Sequence, residues 1–382
     1  MAERRKLRVG MVGGGGPKNF FGGPHRTAIL MDNTAGLTAG ALRSDPQGSI
    51  ESAREHFFQR GYPDYQALVR EESALPPGER VDYVTIVTPN DSHYPVAKAC
   101  LEAGIPVLCE KPLTITLEES LDLVKVTKRT GLPFIVAYTY TALPMVMLAR
   151  EFVRGGDIGE VRKFEAWYPQ GWLAGRTEDL GVQQAEWRVD PKKSGASGCG
   201  GDIGTHAYEF VRFVAGLTAT EVSGRLRAFV GGRKLDDDFT VLARLDNGGI
   251  ATIAASQVTI GAQNDNGFRV VGTKGTVEWS IKDHASLYVY RGGEPVSVYR
   301  LGAEYGYFPD SIKPYLRVPS GHPEGFHEAL ANLHKTIQRR ILGEKAYPHP
   351  DVVDGAAGIA FIEAAVESSA EDGRWTKVRA VE

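Results

Sequence analysis

Over the first third of the chain, short apolar runs alternate with longer stretches in which apolar side chains return every three to four positions. The runs at residues 7–12, 37–42, 81–88, 106–110 and 133–138 read as strands. The stretches at 25–32, 48–59, 93–103 and 117–130 read as helices, with a short helical turn at 65–72. Gly104 and Gly131 stop two of these helices. Strands that alternate with helices build βαβ units, and hence a parallel sheet covered on both faces. Ligands bind such sheets beyond the carboxyl ends of the strands. The segments 13–17, 43–45, 88–90 and 110–112 are therefore expected to line one crevice.

After about residue 140 the rhythm changes. A helix is expected at 145–155, a strand at 161–169, an irregular stretch rich in Gly, Trp and charge at 170–200, and a helix at 202–215 with an acid near its N-terminus. Strands then follow one another at 221–230, 238–245, 250–260, 267–272, 276–281 and 286–290, with the hairpin signal Asp246-Asn247-Gly248-Gly249 between two of them. Strands without intervening helices argue for an antiparallel sheet. Helices at 325–342 and 352–369 close the chain. The expected division is a dinucleotide-binding domain over 1–138 and a substrate-binding and oligomerisation domain over 139–382.

Composition narrows the function classes. A chain of 382 residues exceeds one ordinary core, and 42% hydrophobic with 24% charged residues is the balance of a soluble globular protein. The net charge of -3, with no basic stretch interleaved with aromatics, argues against nucleic acid. No apolar run approaches a membrane span, and the opening Met-Ala-Glu-Arg-Arg-Lys leads into a strand rather than a signal-peptide core. Cys100, Cys109 and Cys199 have no metal-ligand spacing and suit a reducing cytoplasm. A cytoplasmic protein that handles a small molecule and needs no metal is expected.

Candidate chemistry centres on Lys111, which closes the apolar strand at 105–110 and precedes Pro112. A lysine at a strand end either snorkels out to pair with Glu110, or stays and exchanges a proton with a substrate hydroxyl. The run Gly13–Gly16 stands directly after the first strand, where a pyrophosphate needs close backbone approach and a helix N-terminus beyond. It departs from G-x-G-x-x-G, because Lys18 or Asn19 falls at the third glycine, and the loop extends through Phe20 and Phe21 to Gly22 and Gly23. At the end of the second strand Leu42 stands where an acid usually holds the adenosine ribose. Asp45 suits the ribose of NAD, Arg43 and Ser44 suit the phosphate of NADP, and Asp45-Pro46 also reads as a helix start. Asp202 and His206, one helical turn apart, complete a set able to orient and accept a proton. His56, His284, His334 and His349 read as surface residues, and His322 as one that could approach the site.

Three motifs in register, Thr88-Pro89-Asn90-x-x-His93, Glu110-Lys111-Pro112 and Gly201-Asp202-Ile203-Gly204-Thr205-His206, resemble those of the glucose–fructose oxidoreductase/inositol dehydrogenase (Gfo/Idh/MocA) family over essentially the whole chain. The resemblance implies an α/β plus α+β molecule: an N-terminal Rossmann domain with a parallel sheet, and a C-terminal α/β domain on a large, open, mostly antiparallel sheet. That sheet's face commonly forms dimers and tetramers in such proteins. It implies NAD or NADP as cofactor, with Thr88, Asn90, His93, Glu110 and Lys111 along its ribose and nicotinamide side, while Gly13, Gly15, Phe20, Phe21, Arg43, Ser44 and Asp45 are the further candidates to hold it. Lys111, Asp202 and His206 would be catalytic, and Tyr138, Tyr140, Trp187 and Arg188 would join them around a sugar. The expected activity is oxidation of a ring secondary hydroxyl of a sugar, glycoside, anhydrosugar or cyclitol, with either His206 or Lys111 as the base. Two rivals share the sequence features: an NAD-dependent glycosidase working by transient ring oxidation, and a non-catalytic sugar or dinucleotide sensor.

Overall fold

A computed structural model describes residues 5–16 and 20–381; Pro17, Lys18 and Asn19 of the glycine-rich loop lie outside the described residues. Six parallel strands, β1 (Leu7–Gly13), β2 (Ala35–Ala41), β3 (Arg60–Gly61), β4 (Tyr83–Val87), β5 (Val107–Cys109) and β6 (Phe134–Val136), form a sheet in the order β3-β2-β1-β4-β5-β6. Every residue of β4, β5 and β6 is buried, as helices on both faces require. Three of the helices between them start on side-chain caps. Asp45 accepts from Gly48 N at 2.6 Å, Asp64 from Ala67 N at 2.7 Å and Thr116 from Glu119 N at 3.3 Å. The strand order reverses between β1 and β4, and the mouth of the crevice opens there.

A second sheet of nine strands comprises β7 (Val161–Pro169), β8 (Ala219–Arg227), β9 (Asp238–Leu245), β10 (Ile250–Ser256), β11 (Gly267–Gly272), β12 (Gly275–Ser280), β13 (Ser286–Arg291), β14 (Ser297–Arg300) and β15 (Thr376–Lys377). Their order is β14-β13-β12-β11-β7-β10-β9-β8-β15, and the pairing is antiparallel except for the parallel β7–β10 ladder. Alternation is clean: Phe239, Val241, Ala243 and Leu245 of β9 are buried, whereas Thr240, Leu242 and Arg244 face outward. Helices Pro144–Arg154, Thr205–Phe210 and Val352–Ala370 cover the inner face.

Several expectations need correction. β14 and β15 are additional strands, and the strand expected to reach 260 ends at Ser256. The helix expected from residue 25 begins at Gly22, and the one expected from 202 begins at Gly200. The C-terminal segment is not confined to the second sheet: helix Phe326–Ile341 packs on helix Gly22–Met31, and Val136 N bonds Pro350 O at 3.0 Å. This explains why the surface reading of two histidines fails. His334, on that inserted helix, is 0% exposed, and His349 is 2% exposed. His56 and His284 are half-buried, and His322 is exposed and off the crevice wall.

Candidate active site

The loop after β1 is shaped by close backbone contact. Gly13 has φ +84°, and a Cβ there would stand 2.6 Å from Val87 O. Gly22 opens the following helix so near the loop that a Cβ would fall 1.9 Å from Gly14 O. Gly22 thus does what the third glycine of a regular fingerprint does, at a longer spacing that sequence reading missed. Gly15 N bonds Leu42 O at 3.1 Å, and Ser52 Oγ donates to Gly15 O at 2.9 Å, which ties the loop to the end of β2.

A cavity of about 630 Å³ runs across the carboxyl ends of the strands, a size typical of cofactor and ligand clefts. At one end stand Arg43, Ser44, Asp45 and Tyr65; Gly13, Phe21, Thr88 and Asn90 line the middle. Glu110, Lys111, Trp187, Arg188 and Asp202 close the other end. All four segments expected to line one crevice contribute to it. Gly15 is turned against Leu42, and Phe20 is 64% exposed with its edge on Phe21. His93 lies beneath the floor, fully buried, with Nδ1 2.8 Å from Pro112 O and Nε2 3.0 Å from Thr88 O, so it braces the two turns from below.

At the closed end Lys111 does not pair with Glu110. Its Nζ donates to Asp202 Oδ1 at 2.8 Å and to Asp202 O at 2.6 Å, with the side chain 8% exposed. Asp202 Oδ2 accepts from Arg188 Nε at 3.0 Å and from Gln257 Nε2 at 2.9 Å. Burial pushes the Asp202 carboxyl up, but the Arg188 guanidinium and the Lys111 ammonium overcome it and hold it well below the usual carboxylate range. Gln257, at the end of β10, carried no motif. Asp202 belongs to the wide-wound helical turn Gly200–Gly204, where a Cβ at Gly200 would meet Phe239 at 2.5 Å. The half-buried Asp236 anchors that turn by accepting from Gly198 N at 2.9 Å and Gly200 N at 3.0 Å.

His206 sits behind this pair in an aromatic cage. The rings of Tyr138, Tyr140 and Tyr168 lie 5.6, 5.1 and 5.8 Å from it, Tyr140 OH bonds Tyr168 OH at 2.7 Å, and Tyr138 OH bonds Thr205 Oγ1 at 2.8 Å. Burial, reinforced by the Lys111 charge, pushes the imidazole well below its ordinary value, with Asp202 opposing. The surround of this end is aromatic and cationic: the Arg188 guanidinium lies 4.3 Å over the Trp187 ring and 5.8 Å over that of Trp172. Among the described residues no group of His, Cys, Asp and Glu could hold a metal ion, and no helix is long and apolar enough to cross a membrane.

The crevice fits a dinucleotide. A Cβ at Gly13 or Gly14 of its glycine cradle would overlap neighbouring atoms, and Thr88 Oγ1, buried on its wall, has no hydrogen-bond partner. Fold and crevice together define an NAD-binding oxidoreductase of the Rossmann type. Comparison with known proteins narrows the class: residues 7–138 match an oxidoreductase family with an NAD-binding Rossmann fold, and residues 146–278 match the GFO/IDH/MocA C-terminal domain. The chain belongs to the GFO/IDH/MocA family, as the three motifs implied. It is 31% identical to the uncharacterized oxidoreductase YfiI of Bacillus subtilis, with 98% of each chain covered. An inositol dehydrogenase homolog from Azotobacter vinelandii, solved with NAD+, superposes with TM-score 0.90 at 29% identity over 98% of this chain and 97% of that one. A levoglucosan dehydrogenase in complex with NADH and levoglucosan gives TM-score 0.85 at 25% identity over 99% and 100%.

Proposed function

We propose that the protein is an NAD-dependent dehydrogenase that oxidises a ring secondary hydroxyl of a sugar, glycoside, anhydrosugar or cyclitol. The observation that carries this reading is the Lys111–Asp202 pair at one end of the dinucleotide-sized crevice, with the caged His206, its imidazole pushed well below its ordinary value, behind it. Bound nicotinamide dinucleotide supplies the hydride acceptor. Gly13, Phe21, Thr88 and Asn90 would hold its middle, and Arg43, Ser44 and Asp45 its adenosine end. Lys111 gives two N–H bonds to Asp202 and has a third for the substrate hydroxyl oxygen. His206, a neutral imidazole, takes the hydroxyl proton as hydride departs from the same carbon. Asp202, fixed by Arg188 and Gln257, keeps the Lys111 charge in place. Trp172, Trp187 and Arg188 offer the flat and polar surfaces that a sugar ring presents faces and hydroxyls to. Relatives named for inositol and levoglucosan oxidation support the substrate class. The reading includes a homo-oligomer joined through the outer face of the nine-stranded sheet, where Leu242, Ile250, Tyr290 and Val298 are exposed.

The test is a screen for NAD reduction across inositols, aldoses, glycosides and anhydrosugars, with Lys111→Ala and His206→Asn as controls. Each substitution is expected to lower kcat by about 10²–10⁴ on the true substrate. Full turnover by Lys111→Ala would refute the mechanism. Glycoside cleavage without net NADH formation would assign the recycling glycosidase instead, and dinucleotide binding with a silent screen would assign the sensor.

A further inference from the structure

Behind Glu110 a file of buried polar side chains runs away from the crevice. Glu110 Oε1 lies 2.8 Å from His25 Nε2, and His25 Nδ1 lies 3.1 Å from His334 Nε2. His334 Nδ1 is 2.9 Å from Tyr83 OH, which accepts from Gln338 Nε2 at 3.3 Å. Thr34 Oγ1 donates to Gln338 Oε1 at 2.7 Å. His25, Tyr83 and His334 are all 0% exposed and come from three separate elements: helix Gly22–Met31, β4 and helix Phe326–Ile341.

The proton positions in this file follow from donor and acceptor counts. An amide nitrogen only donates, so Tyr83 accepts from Gln338 and directs its own hydrogen at His334 Nδ1. His334 then donates from Nε2 to His25 Nδ1, and His25 donates from Nε2 to Glu110. Each ring uses one nitrogen as donor and the other as acceptor. Burial, with His25 beside it, pushes His334 well below its ordinary value, which agrees with a ring carrying one proton. Every link points toward Glu110. A side-chain amide does not hand a proton onward, so the file orients the carboxylate rather than draining protons to the exposed Thr34.

We propose that His25, His334 and Tyr83 are positioning residues that hold Glu110 as an acceptor-only carboxylate at the reactive end of the crevice, and so favour the oxidised dinucleotide over the reduced one. This rests on the dehydrogenase reading above. Oxidised nicotinamide carries one positive charge more than the reduced ring, and a fixed carboxylate in a partly enclosed cleft interacts with that difference. Glu110 adjoins Lys111 on the crevice wall, so its charge is placed at the hydride-transfer end and not at the adenosine end. His25, His334 and Tyr83 do not themselves line the crevice, so their substitution acts through Glu110.

The test is calorimetric titration of the full-length protein with NAD+ and with NADH, without substrate. His334→Leu and His25→Leu are expected to weaken NAD+ about five- to tenfold while NADH changes less than about twofold, and Glu110→Gln to shift the ratio the same way. Tyr83→Phe, which keeps the volume, is expected to shift it in the same direction. His334→Gln, whose amide can accept from Tyr83 and donate to His25, is expected to restore the wild-type ratio. Equal weakening of both forms, or an unchanged ratio, would overturn the proposal. If the leucine variants lose their cooperative thermal transition, Tyr83→Phe compared with His334→Gln decides in the same terms. Failure of the wild-type protein to bind either dinucleotide would overturn the dehydrogenase reading and this inference with it.

Discussion

Lys111 lines the crevice and His206 lies caged behind it, and their surroundings suit them to different tasks. Lys111 is fixed by two bonds to Asp202, whereas the rings around His206 offer it no charge partner and disfavour imidazolium. A base must be neutral to work, so kcat/KM should hold level as pH falls through the ordinary histidine value of about 6.5 and drop only at more acid pH. A pH–rate profile that already declines near that value would remove His206 from the role. The adenosine end yields a second prediction. Asp45 caps its helix through Gly48 N, and its other oxygen lies 3.2 Å from Arg43 Nε, so Arg43, which would suit a 2′-phosphate, is already paired with a carboxylate. Asp45→Asn keeps a capping oxygen and removes the charge. Fluorescence titration should then show NADPH affinity rising several-fold, on the order of fivefold, with NADH changed less. No rise would mean that Arg43 does not face the 2′ position.

Helix Gly22–Met31 ties the glycine loop, the crevice and the C-terminal helix together, and its first residue is its weakest point. A methyl group at Gly22 would overlap Gly14 O at 1.9 Å, backbone against backbone, so the helix must move away from the loop. Gly22→Ala is expected to cost about 1–3 kcal/mol of stability and to weaken NADH binding tenfold or more, whereas Gly23→Ala, with open space around it, should bind normally. Thermal melts and NADH titration of the pair check this. The same helix shows where sequence reading stops. Strands buried on both faces, such as β4 and β5, read directly as apolar runs, and the alternating strands β9 and β10 read as period two. β3 and β15 have two residues each and carry no period, and helix Gln183–Arg188, at six residues, is too short to show one. Lys111, Asp202 and His206 were visible because each stands in a local motif. His25 and His334 stand 309 positions apart, and Gln257 is 55 from Asp202, so only the folded chain joins them.

For the whole molecule, buried histidines couple stability to acidity. His93, His206, His334 and His349 are buried, and burial pushes each below its ordinary value, His349 to about 3, where Arg340 and Arg150 add to the effect. The unfolded chain protonates these rings near pH 6.5, while the folded protein keeps His206, His334 and His349 neutral until much lower pH. Between those limits the unfolded state binds more protons, so stability rises with pH. The contribution is therefore complete above about pH 6.5 and is lost progressively as pH falls toward the folded values. Each ring that stays neutral adds a slope of about 1.4 kcal/mol per pH unit in that window. Two of the four sit where the halves of the molecule meet: His334 faces β4 from helix Phe326–Ile341, and His349 bonds Thr336 on that same helix at 2.7 Å. Acid should therefore loosen the C-terminal helix from the parallel sheet and unfold both sheets together. Urea melts at pH 7, 6 and 5 are expected to show one transition whose midpoint falls steadily. His349→Gln, which never charges, should make that fall shallower. A midpoint unchanged between pH 7 and pH 5 would mean that these rings are not held neutral by the fold.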